Sequence, residues 1–156
     1  AAPRLGFAYP AAPPPIDQNF EVWAAVVPAG ATADIYVMSD TSENFGEFYH
    51  VGCAVYVASA MPTVIDTALT ETMAGSTMTE AVDIAQGGAL IGISGNAFIG
   101  EVASWTGATE DVEDRTNSKY WAHADQLAAE TGRVVSIEYG ATWNVGTALW
   151  LVSLGF

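Results

Sequence analysis

Basic residues are what this chain has least of. Four Lys and Arg stand against 18 Asp and Glu, a formal net charge of -14 over 156 residues. Nucleic-acid phosphates are held by clustered Lys and Arg, and Arg4, Arg115, Lys119 and Arg133 are too few to build such a patch. The same acidic field repels an anionic membrane. Cysteine is nearly absent too: Cys53 stands alone, which excludes an intrachain disulfide. No apolar run approaches the ~18 residues of a membrane-crossing helix. No Asn-x-Ser/Thr acceptor occurs, no segment repeats at a fixed period, and no glycine-rich phosphate loop precedes a helical pattern. The chain opens on Ala1 instead of Met, as expected of a processed chain or a piece of a longer one.

What is present is apolar and β-forming. Hydrophobic residues make up 51% and charged ones 14%, a composition that excludes disorder and suits one domain with a real core. The net charge keeps so apolar a chain dispersed until it assembles. The stretch Gly87–Asp114 sets the pattern. It predicts two strands, Ala89–Ser94 and Glu101–Trp105, joined as a hairpin through a Gly95-Asn96 turn. A Thr106-Gly107 turn follows, then an acidic loop.

Five of the seven prolines fall within residues 1–15. Proline lacks the N–H that a ladder uses, so this segment is expected to be an extended arm outside the core, with residues 16–156 forming the domain. Leu5, Phe7 and Tyr9 alternate along the arm and would lie in a groove, on a neighbouring subunit in preference to its own domain. Strands are expected over Glu21–Val27, Asp34–Ser39, Glu47–Ser59, Thr63–Thr72 and Thr77–Ile84, the last ending in a Gly87-Gly88 turn. Lys119–Leu127 is read as strand over the helix its Ala, Gln and Leu would allow, because strands flank it at regular spacing. Val134–Tyr139, a turn at Gly140-Ala-Thr142, and Ala148–Leu154 close the chain. Nine or ten short strands without a helical period predict an antiparallel β-sandwich, jelly-roll-like.

Chemistry-bearing residues are few. Glu110, Asp111, Glu113 and Asp114 offer the oxygens that Ca²⁺ prefers, with Thr109 and Asn117 beside them. They lack the alternating order and sharp-turn glycine that bring ligands round one ion, so no cofactor is expected. Gly92-Ile93-Ser94-Gly95 matches a nucleophile elbow only loosely and is followed by a strand pattern. His50 and His123 sit in apolar strand runs without metal-ligand spacing and read as hydrogen-bonded, half-buried residues. Cys53 reads as a small buried hydrophobe. Trp105, Trp121, Trp143 and Trp150 lie in or beside apolar runs, where core or subunit interface is the expected role. None of this selects a catalyst.

From Gly75 to Phe156 the order of motifs is familiar. A Thr-rich STMTEAVDI strand leads to GGALIGISGNAF, then Ser-Trp-Thr-Gly-Ala-Thr-Glu-Asp, a Gly-Arg-Val-Val strand and a terminal Ala-Leu-Trp-Leu-Val-Ser-Leu. This resembles β-sandwich domains of virion structural proteins in tailed bacteriophages, prophages and phage-like particles. VWAAVVPAGATADIYV and VGCAVYVASAM are similar to the preceding strands of those domains. The resemblance implies a head-decoration, fibre or tail-associated role on the particle surface, with no catalytic residues to carry over. The partners it implies are further copies of the chain and other virion proteins, with a host-surface glycan as a further one. A secreted carbohydrate-binding module is the alternative reading, and a sandwich hydrolase the third.

Overall fold

The computed structural model describes residues 4–8, 20–28, 31, 53–72, 75–96, 103–115, 119–143 and 146–156. Their regular structure is all strand: β1 (Arg4–Ala8), β2 (Phe20–Trp23), β3 (Thr63–Thr72), β4 (Gly75–Ile84), β5 (Gly88–Asn96), β6 (Ala103–Thr106), β7 (Thr109–Asp114), β8 (Lys119–Leu127), β9 (Glu130–Trp143) and β10 (Thr147–Gly155). One sheet runs β3-β10-β5-β8-β7 and the other β4-β9-β6. Every pairing in both is antiparallel. The protein is an all-β sandwich of two sheets packed face to face.

Strand β10 is its axis. All nine residues are buried, because its sheet is covered on both faces, and a strand covered twice has no reason to alternate. Leu149 and Leu151 face the second sheet, where Leu90, Tyr120, Met78, Val82, Val135, Ile137 and Tyr139 close the core. Ala148, Trp150, Val152 and Leu154 join Phe20 in a second cluster. That cluster is covered by a ribbon of β1 and β2, paired antiparallel. Phe20 stacks on Trp150 with ring centroids 6.2 Å apart, and Leu5 and Val22 pack beside them.

The ribbon corrects the expectation of an arm outside the core. Arg4–Ala8 contains no proline, so its amides are free to join a ladder, and Leu5 packs against the second cluster of its own domain. Tyr9 and the side chain of Phe7 lie outside the described residues.

The strands nest. β3 pairs with β10, β4 with β9 and β5 with β8. The described strands β3 to β10 are therefore nested as in one long hairpin, rolled into two sheets, whose tip is the Thr106-Gly107 turn. Gly107 takes a φ of 85°, open to glycine at no steric cost. A methyl group there would also run into the Val134 carbonyl. The Arg133 guanidinium fastens the tip, donating to the Gly107 carbonyl from Nη2 at 2.8 Å and from Nε at 3.3 Å.

Nesting overturns several local expectations. Gly95 and Asn96 are not a turn: they continue β5, opposite Ala148 and Thr147. The expected hairpin partners thus lie in different sheets, β5 in one and β6 in the other. The acidic loop is an edge strand, β7, and Gly140–Thr142 runs inside β9. The strand at Glu21 stops at Trp23. Asp34–Ser39 and residues 47–52 lie outside the described residues, while Cys53–Ala58 join no ladder and Cys53 is exposed, not buried. Lys119–Leu127 is a strand, held between β5 and β7, as its spacing predicts.

Three variants test this arrangement. Phe20→Ala should lower stability by about 3 kcal/mol, and removing residues 1–10 should likewise lower the urea midpoint by stripping the cover from Trp150. Gly107→Ala should cost about 1–3 kcal/mol, the strain of a non-glycine residue in that region. Equal midpoints for wild type and variants would show that ribbon and tip contribute nothing.

Candidate functional site

The described polar side chains converge most closely at the outer edge of β7 and β8. In the ladder, Glu110 faces Ala122 and Val112 faces Trp121, so Asp111 is the extra residue of a β-bulge. A bulge re-aims side chains. Here it brings the Asp111 carboxylate onto the face that carries His123: Oδ1 lies 2.6 Å from His123 Nδ1. The Tyr56 hydroxyl, from the ladderless segment that precedes β3, donates to Oδ2 at 2.6 Å. Its ring also tilts against the imidazole, centroids 5.6 Å apart. Burial, then the hydrogen bond to Asp111 and that carboxylate's charge, push the Tyr56 phenol well above its ordinary value.

Chemically, an aspartate on Nδ1 fixes the ring orientation and leaves Nε2 for proton exchange or a ligand. A nucleophile is the missing part of a triad. Among the described residues no serine, threonine or cysteine bonds to His123. Ser94, the centre of the elbow-like sequence, is buried in β5, where it bonds to the Ala148 carbonyl at 2.7 Å and to the Tyr139 hydroxyl. His123 is, as expected, a half-buried and hydrogen-bonded residue. His50 lies outside the described residues.

The four acidic candidates do not gather. Glu113 reaches across to the second sheet, accepting from the Ala103 amide at 2.8 Å and from Arg115 at 2.8 Å. The Arg115 hydrogen bond, then the Ala103 amide, hold its carboxyl below the ordinary range. Glu110 is pushed up, first by burial and then by the Glu113 charge. Asp114 pairs in register with Lys119, whose burial pulls its ammonium down. Among the described residues no three His, Cys, Asp or Glu side chains stand together.

Aromatic placement separates Trp23 from Trp105, Trp121 and Trp150. Trp150 and Trp121 are buried and Trp105 packs against the core, in line with their apolar settings. Trp23 is 53% exposed on the ribbon. Its indole N–H donates to Glu21 Oε2 at 2.9 Å, and Arg4 bonds to Glu21 Oε1 at 2.9 Å. Sequence reading missed both Tyr56 and this trio. Tyr56 and Asp111 are 55 positions apart with no motif linking them, and Arg4 meets Trp23 only through the ribbon register.

No family model matches the chain, and neither the curated proteins nor the solved structures contain a match.

The phenol makes alkaline stability the measurable consequence. In the unfolded chain Tyr56 ionises near its ordinary 10.0, whereas the folded protein holds the proton to higher pH. Its contribution is therefore complete below pH 10 and is lost as the pH rises beyond it. Buried Tyr139 acts in the same direction. Tyr56→Phe should cost about 0.5–1.5 kcal/mol at pH 7 and lose less than wild type between pH 9 and about 11.5, in urea titrations at each pH. Parallel losses in the two proteins would mean the hydroxyl is not held by Asp111.

Proposed function

We propose that this chain is a non-enzymatic structural subunit that associates with copies of itself on the surface of a phage-like particle. The carrying observation is where apolar surface lies exposed. Val26 is 77% exposed, Val55 62% and Val57 99%. They fall in two runs, residues 22–33 and 51–65, that contain no Asp, Glu, Lys or Arg. In a chain of net charge -14, uncharged apolar stretches are where like copies meet at least Coulombic cost. The nested pairing supports the reading as well. A long hairpin rolled into two sheets is the plan of a jelly roll, a fold of capsid and lectin domains, from which β7 departs by pairing with β8. The resemblance of Gly75–Phe156 to phage virion domains points the same way.

A second reading, a carbohydrate-binding module, is favoured by the Arg4–Glu21–Trp23 trio. An indole fixed by its own N–H and flanked by a carboxylate and a guanidinium offers a sugar ring a stacking face with polar rims.

Light scattering after size exclusion tests the first reading. The expected result is an oligomer at micromolar concentration that tightens as salt rises from 50 to 500 mM, because screening weakens repulsion between acidic copies. A monomer at both salts overturns it. Calorimetric titration with neutral oligosaccharides, repeated on Trp23→Ala, tests the second.

A further inference from the structure

We infer that residues 53–58 are the docking strand for a second copy of this chain, pairing strap to strap and antiparallel about a two-fold axis. The inference rests on the self-association reading above and gives it a surface. The first observation is a mismatch between sequence and fold. Cys-Ala-Val-Tyr-Val-Ala is rich in the residues that favour strands. Yet these residues join no ladder and make no backbone–backbone hydrogen bond among the described residues. Backbone amides that form no internal ladder are a template for another chain.

The second observation is the way the segment is held. Tyr56 is fixed to the sheet by its hydroxyl on Asp111 and its ring on His123. Val55 and Val57, on either side of it in the chain, lie in solvent, 62% and 99% exposed. The strap is thus latched by its middle residue and presents an apolar edge.

Charge selects the occupant. Residues 51–65 carry no charge, while neighbouring β7 carries Glu110, Asp111, Glu113 and Asp114. Two copies meeting edge to edge along β7 would oppose these carboxylates; meeting along the strap, they oppose Cys, Ala, Val and Tyr, with the nearby Asp111 carboxylate engaged by the Tyr56 hydroxyl. A segment that pairs with itself antiparallel is self-complementary, as a two-fold interface requires.

Four measurements on the full chain decide it. Wild type should be dimeric by light scattering. Val57→Asp, at a position too exposed to affect folding, should weaken the dimer at least tenfold with an unchanged melting temperature. Val26→Asp, on the other exposed run, should leave the dimer intact. Cys53, the sole cysteine, takes a spin label directly, and antiparallel straps at ~3.3 Å per residue put two labels within about 25 Å. A dimer that Val57→Asp does not weaken, or labels farther apart, overturns this surface while leaving self-association standing. A wild type that stays monomeric at micromolar concentration at both salts overturns both.

Discussion

The fold depends on a sheet that must be covered twice. Because β10 carries large apolar side chains on both faces, Leu149 and Leu151 on one and Trp150, Val152 and Leu154 on the other, one partner sheet cannot satisfy it. β4-β9-β6 covers the inner face. The outer face is covered by the β1–β2 ribbon, drawn from a part of the chain remote in sequence. Leaving Trp150 bare would forfeit roughly 1.5–3 kcal/mol for each large side chain returned to water. The need for this second cover makes Arg4–Ala8 part of the domain in spite of the prolines around it.

A sandwich has two open flanks, and here each is closed by a carboxylate. On the β3–β4 side, Asp66 Oδ2 accepts from the Asp83 amide at 2.9 Å while Oδ1 accepts from the Thr67 amide at 2.8 Å. On the β6–β7 side, Glu113 accepts from the Ala103 amide. Each acid bonds to a backbone N–H of the opposite sheet and places a negative charge beside an edge. Charge at an edge deters pairing by another chain, so the same residues tie the layers together and put a charge where an edge would otherwise be bare.

This explains which parts of the architecture were legible in the sequence. Thr63–Thr72, Ala148–Leu154 and Lys119–Leu127 were readable because each is long and bounded by turn residues or by regular spacing. Their faces were less so. Val64 shares the outer cluster with Leu69, not the inner face with Ala68, because a bulge between Leu154 and Ser153 pairings inserts Ile65. Gly95-Asn96 carries a turn's residue types, but the ladder to β10 gives Gly95 and Asn96 partners and overrides local preference. The acidic run read as a loop for a similar reason: polarity marks exposure, and an exposed edge strand is polar without being irregular. The Tyr56–Asp111–His123 convergence was beyond reach, since it requires a bulge, a nested register and a segment with no ladder of its own.

The distribution of charge then bears on how the surface is used. Acidic side chains line β7 and stand at both flanks, and the ribbon carries its own ion pair between Arg4 and Glu21. The 51–65 run is free of charge, in a chain where 18 acids could have been spread anywhere. Solubility alone would be served by an Asp at Val57, which is 99% exposed and has no packing role to protect. An uncharged β-forming segment in solvent is an aggregation liability unless its pairing is restricted. The latch supplies such a restriction. Tyr56, fixed to Asp111 by its hydroxyl and to His123 by its ring, holds the middle of the segment against β7 and β8.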